Sequence, residues 1–129
     1  MGKGRVLVID DEPEIRQSVR LALVKSGYEV VVAEDGEKGI AAIKAGDNPR
    51  KVDVILCDIY MPKVNGMEAI ACFRSEFPSV PVIVMTGKPD TSNAEALFKQ
   101  GVVEYLVKPF ETEALMAAVN KAVTSHRAS

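Results

Sequence analysis

Three acidic residues stand where two short apolar runs stop. Asp10 and Asp11 close Arg5-Val6-Leu7-Val8-Ile9, and Asp58 closes Val52-Asp53-Val54-Ile55-Leu56-Cys57. If these runs are neighbouring parallel strands, their ends bring like charges close together, which is unfavourable unless a cation lies between them. An all-oxygen donor set suits a hard cation, Mg²⁺ or Mn²⁺, and not zinc, which favours His and Cys. Two more apolar runs close in polar residues: Thr86 after Val82-Ile83-Val84-Met85, followed by Gly87, and Lys108 after Tyr105-Leu106-Val107, followed by Pro109. A carboxylate nucleophile, a metal, a hydroxyl and an ammonium at one rim suit phosphoryl transfer. The cations would balance the charge on the equatorial oxygens, and the hydroxyl would donate to one of them.

These residues can converge only if the chain folds as alternating strands and helices. β-branched runs at 6–9, 29–33, 52–57, 80–85 and 104–107 are separated by stretches with helical spacing. The first helix follows Pro13, sets Ile15, Val19, Ala22 and Leu23 on one face and stops at Gly27. The second starts near Asp35, buries Ile40 and Ile43 and ends at Gly46. The third follows Asn65-Gly66, uses Met67, Ile70, Ala71 and Phe73 and closes before Pro78. Ser92 and Glu95 form a capping box for the fourth, which ends by Gly101. The fifth, over about 111–125, faces Leu115, Val119 and Ala122 inward and leaves His126 in an exposed polar tail.

Strands this apolar need helices on both faces, which predicts an α/β fold: a doubly wound five-stranded parallel sheet. Such sheets place their sites at the carboxyl ends of the strands, where the strand order switches direction. That is the edge where Asp10, Asp11, Asp58, Thr86 and Lys108 have been placed.

Composition agrees with one globular unit. At 129 residues the chain suits a single domain, and 47% hydrophobic with 26% charged residues is ordinary for one. A formal net charge of -2 with scattered Lys and Arg argues against nucleic acid or an anionic membrane as a direct partner. No apolar run approaches membrane-spanning length, and the opening residues lead into a strand pattern and not a secretory leader, so a cytoplasmic location is expected. The two cysteines, Cys57 in a buried strand and Cys72 in a helix, read as core thiols.

Taken in order, Asp10-Asp11-Glu12-Pro13, Asp58-Ile59-Tyr60-Met61-Pro62, Thr86-Gly87 and Lys108-Pro109-Phe110 resemble the receiver domain of two-component response regulators, as in the single-domain chemotaxis regulator. The resemblance covers the chain from about residue 5 to 124 and implies a single flavodoxin-like receiver domain over 1–129. It implies that Asp58 is the phosphoacceptor, charged from a phosphohistidine on a sensor kinase or phosphotransfer protein. Asp10, Asp11, Asp58 and the backbone carbonyl of Tyr60 would hold Mg²⁺. Thr86 would be the switch hydroxyl, Lys108 would pair with the acceptor and then the phosphate, and Tyr105 would be the switch aromatic. The Lys108-Pro109 bond is expected to be cis.

Inward movement of Thr86 and Lys108 would free space for Tyr105 and alter the face made by the fourth helix, fifth strand and fifth helix, the expected output surface and in many relatives a surface for dimerisation on activation. Such a module catalyses only its own phosphorylation and dephosphorylation.

Three other readings fit less of the sequence. An aspartate-nucleophile phosphohydrolase of similar topology would carry a second acid two residues past the nucleophile, where Tyr60 stands. A nucleotide or flavin binder would want a phosphate-cradling loop after the first strand, where Asp10-Asp11-Glu12 would repel phosphate. A pseudo-receiver acting by protein contact alone would not need the complete acceptor set.

Tyr60 and Lys88 depart from the commonest residues of the family at positions that tune the access of attacking water. Tyr60→Ala is therefore expected to change the decay rate of the phosphorylated protein, followed as loss of the phosphoryl mass with time; unchanged decay removes this role.

Overall fold

The computed structural model describes residues 3–61 and 66–128. The apolar runs become strands β1 (Arg5–Ile9), β2 (Glu29–Ala33), β3 (Val52–Asp58), β4 (Val82–Thr86) and β5 (Glu104–Val107). Between and after them lie helices α1 (Pro13–Lys25), α2 (Gly36–Lys44), α3 (Asn48–Lys51), α4 (Gly66–Glu76), α5 (Thr91–Lys99) and α6 (Thr112–Ala128). All strand pairs are parallel, in the order β2-β1-β3-β4-β5. This is the doubly wound, flavodoxin-like sheet expected from the alternation. Its direction of winding switches between β1 and β3, which opens a crevice at their carboxyl ends.

The two-residue period of the strands divides the core into two layers. Leu7, Ile9, Ile55, Cys57, Val82 and Val84 pack with Ile43 of α2, Ile70 and Phe73 of α4 and Leu97 of α5. The alternate residues Val6, Val8, Val54, Leu56, Ile83 and Met85 meet Val19 and Leu23 of α1 and Leu115 and Val119 of α6. Every residue of β3 is buried, whereas the edge strands β2 and β5 mix buried and exposed positions.

Local signals account for several helix ends. Pro13 opens α1, and Gly27 beyond its end takes a φ of 96°, a value that favours glycine. The Asp35 carboxylate caps α2, accepting from the Lys38 amide at 2.8 Å. Several boundaries differ from the sequence reading. Asp90, not Ser92, caps α5: its Oδ1 accepts from the Ser92 amide at 2.9 Å and the Asn93 amide at 3.3 Å, so the helix starts earlier. β4 begins at Val82 and not at residue 80; Pro81 has no amide to give the ladder. In α4 the buried alanine is Ala69, and Ala71 faces solvent. Asn65, expected just before that helix, lies outside the described residues.

The one-turn helix α3 has no apolar periodicity and so left no pattern to read. Polar contacts from distant segments hold it: Arg5 Nη1 donates to Asp47 Oδ1 at 2.6 Å and Asn48 Oδ1 at 2.9 Å, and Asn48 Nδ2 donates to the Ala42 carbonyl at 2.7 Å.

α6 also runs past residue 125, which brings His126 onto its last turn and not into a free tail. There His126 Nδ1 lies 3.0 Å from Asp53 Oδ1, at the amino end of β3. Arg127 Nε and Nη2 reach the same carboxylate at 3.2 and 3.3 Å, and the Arg5 amide donates to it at 3.0 Å. Burial works against the charged form of Asp53. The hydrogen bonds from Arg127, the Arg5 amide and His126 outweigh it and hold the carboxyl below its ordinary range. A folded-state value below the unfolded one, about 3.9, gives stability that is present above that value and lost as pH falls through the folded one. Asp53→Asn is expected to cost about 2 kcal/mol at neutral pH. Urea unfolding followed against pH should show the gap to wild type closing in acid below about pH 4.

Candidate functional site at the carboxyl ends of the strands

Register gathers the site residues. Ile9 pairs with Cys57, Asp58 with Met85 and Thr86 with Val107, so the next residue along each strand reaches the same rim. Asp10, Asp11, Glu12 and Asp58 each offer a carboxylate oxygen, and these oxygens all lie within 4.8 Å of one another. Asp10 is 0% exposed and Asp58 3%. Water can therefore do little to screen the repulsion.

Lys108 supplies the opposing charge. Its Nζ lies 2.6 Å from Asp10 Oδ2, 3.0 Å from Glu12 Oε1 and 3.2 Å from Asp58 Oδ2. Burial disfavours the ammonium, but its hydrogen bonds to Asp10 and Glu12 and the fields of Asp10 and Asp58 win, raising its pKa above the usual lysine range. For Asp10 the balance goes the other way. Burial pushes its carboxyl above the ordinary range despite hydrogen bonds from Lys108 and the Glu12 amide, and Asp58 adds to the push.

The backbone fixes both acids. Asp10 Oδ1 accepts from the Glu12 amide at 2.9 Å, and the Asp10 carbonyl accepts from Arg16 Nη1 at 2.8 Å. Asp58 Oδ1 accepts from the Tyr60 amide at 3.1 Å. Gly66, the first residue of α4, sits so close to the Asp58 carbonyl and the Ile59 Cα that a Cβ there would collide with backbone. Glycine lets that helix start directly on the end of β3.

The rim continues through β4 and β5. Thr86 is fully buried, and its Oγ1 accepts from the Lys88 amide at 3.0 Å. The Lys108 amide donates to the Thr86 carbonyl at 2.7 Å, and the following Lys108-Pro109 bond is cis. Tyr105 is not brought into the acid cluster. It is half-buried, with its hydroxyl accepting from the Asp90 amide at 3.3 Å and its ring 6.5 Å from that of Phe98. Tyr60 is 43% exposed at the outer side of the pocket.

Two features escaped the sequence reading. Glu12 is a fourth carboxylate of the cluster, and Lys108 approaches Asp10 more closely than it does Asp58. The adjacency of Glu12 to Asp10-Asp11 was the available signal for the first; the second depends on side-chain reach across the seam.

The response regulator receiver domain model matches residues 6–120. The chain belongs to the response regulator receiver domain family. Its receiver fold is 32% identical over 127 residues to the DNA-binding transcriptional regulator NtrC of Proteus hauseri, covering 98% of this chain and 26% of that protein. It is 36% identical over 113 residues to the response regulator MprA of Mycolicibacterium vanbaalenii, covering 88% of this chain and 47% of that one. The receiver thus spans about a quarter to a half of the length of these curated relatives. A solved response regulator receiver domain protein from Clostridium thermocellum superposes with a TM-score of 0.89 at 34% identity, covering 96% of this chain and 97% of that one. Receiver domains are signalling modules of two-component systems and not classical enzymes.

The donor chemistry fits the divalent cation that receiver domains typically use: carboxylate oxygens alone, two of them on buried residues, with no His or Cys in the group. Lys108→Ala would leave the carboxylates facing one another without their cation. We expect a loss of about 3 kcal/mol in metal-free buffer, read from the urea midpoint, with Mg²⁺ restoring part of it. Wild-type stability without added cation would contradict this account of the charge balance.

Proposed function

We propose that this receiver takes a phosphoryl group onto Asp58 from a phosphohistidine on a sensor kinase or phosphotransfer protein. An Asp58 oxygen attacks phosphorus, the nitrogen-phosphorus bond breaks and the imidazole leaves with the bonding pair. Asp10, Asp11 and Asp58, with the backbone carbonyl of Tyr60, would hold Mg²⁺, or Mn²⁺. When bound, the cation neutralises charge on the transferring oxygens.

The chain's own groups do the rest. Lys108 is charged and already beside Asp58, so it can follow charge from the carboxylate to the new phosphoryl oxygens with little reorganisation. Thr86 holds its hydroxyl on the neighbouring strand end; its oxygen accepts from the Lys88 amide, which leaves the hydroxyl proton to donate to a phosphoryl oxygen. The observation that carries this reading is the contact of the Lys108 ammonium with both Asp10 and Asp58 inside a four-carboxylate cluster.

Movement of Thr86 and Lys108 toward the phosphoryl group would pull on the ends of β4 and β5. Tyr105 ties β5 to the start of α5 through the Asp90 amide, which supports it as the switch aromatic. The output face is then α5, β5 and α6, available to a partner or to a second receiver on activation. Phosphorylation need only stabilise a conformation that the free protein already samples.

In this reading residues 1–129 form one domain with its core over about 5–124, and its only catalysis is of its own phosphorylation and dephosphorylation. It works in the cytoplasm and has no direct contact with nucleic acid or membrane. The low net charge supports this, as does the absence, among the described residues, of a helix long and apolar enough to cross a membrane.

Incubation with a small acyl-phosphate donor and Mg²⁺ is expected to add one phosphoryl group to the intact wild-type chain and none to Asp58→Ala. Chelation of the metal should abolish the addition. Equal labelling of both proteins would overturn the assignment.

A further inference from the structure

Tyr60 is held at both ends. Its amide donates to Asp58 Oδ1 at 3.1 Å, and its hydroxyl accepts from Asn93 Nδ2, in the first turn of α5, at 3.0 Å. The residue is therefore strung between the end of β3, which carries Asp58, and the segment that follows Thr86. It lies on the solvent side of the pocket, being 43% exposed where Asp58 is 3% and Thr86 0%. Lys88 sets its ammonium 5.8 Å from the centre of the same ring. That contact is weak at an exposed site.

Asn93 is itself fixed, since its amide donates to the Asp90 carboxylate that caps α5. Asp90 in turn donates its own amide to the Tyr105 hydroxyl. The anchor for Tyr60 is thus the ordered start of a helix and not a loose side chain.

We infer that Asn93 is a positioning residue that holds Tyr60 across the mouth of the acceptor pocket, so that loss of this hydrogen bond admits water to the phosphorylated Asp58. The inference rests on the phosphoacceptor reading. The reaction it controls is hydrolysis of the acyl phosphate. Water attacks phosphorus, the bond from phosphorus to the Asp58 oxygen breaks, and the carboxylate leaves with the bonding pair. Both protons of the water go to the released phosphate, which gives one up to solvent near neutral pH. The attacking water must come from the side opposite the Asp58 oxygen, and it reaches the buried acid from solvent, where Tyr60 is exposed.

The geometry also makes the control reciprocal. If the start of α5 shifts when a partner docks, Asn93 moves and the ring is released. If a partner clamps α5 as it stands, the ring stays and the phosphoryl group lasts longer.

The test measures decay of the phosphorylated protein by intact mass, after removal of the acyl-phosphate donor, in wild type, Asn93→Ala, Tyr60→Phe and the double variant. Each single variant should decay a few-fold faster than wild type. The double variant should decay no faster than either single one, because both remove the same bond. In Asn93→Ala, Mg²⁺ affinity and the extent of labelling should be unchanged, which a general loss of structure would not allow.

A second readout needs no phosphorylation: the side-chain amide resonances of Asn93 should move in Tyr60→Phe. Wild-type decay in Asn93→Ala, additive effects in the double variant or unmoved amide resonances would overturn the role of Asn93 while labelling of Asp58 stands. No labelling of Asp58 in the wild type would remove both readings.

Discussion

The repulsion among carboxylates at the seam of β1 and β3 is the constraint around which this molecule is organised. Asp10 and Asp58 end adjacent strands with almost no exposure to water, and Asp11 and Glu12 crowd the same few ångströms. A fold chosen for stability alone would not assemble such a group. Lys108 offsets the repulsion, yet Asp10 keeps a carboxyl that is easier to protonate than an ordinary one. The residual electrostatic tension is what a bound divalent cation would relieve.

Both ends of the sheet carry a buried aspartate, and the contrast between them is instructive. Asp53, at the amino end of β3, is met by Arg127, His126 and a backbone amide, and its carboxyl is held below the ordinary range. Asp10, at the carboxyl end of β1, shares one lysine with two other acids and is pushed above it. One is a tie that fastens α6 to the sheet. The other belongs to a group in which charges outnumber their partners, the usual mark of a site that does chemistry.

Much of this was legible in the residues. Alternating β-branched runs and helical spacing implied the doubly wound sheet, and the polar residues ending four of those runs implied a shared rim. Part of what stayed hidden depended on contacts between distant segments, and part on which of several nearby side chains reached a backbone group. α3 is a four-residue turn of one proline and three polar residues held by Arg5 and Ala42, so no periodicity announced it. Asp90 displaced the Ser92 capping box because its carboxylate reaches two amides of the first turn at once. His126 looked like part of a tail because its partner, Asp53, lies far away along the chain. The contact of Lys108 with Asp10 is likewise a matter of which carboxylate a long flexible side chain meets first.

β3 is the central strand of the sheet and buried along its whole length, whereas β5 is an edge and partly open to solvent. Asp58, the proposed acceptor, is thus mounted on the least yielding part of the molecule. A change made at Asp58 has nowhere to dissipate beneath it, since both helical layers press on that strand. Whatever gives must lie sideways, toward the thinner flank that ends in β5. In the proposed function, the packing would thus set a direction of response before any partner arrives: the stiff side would be the anvil, and the edge would bend.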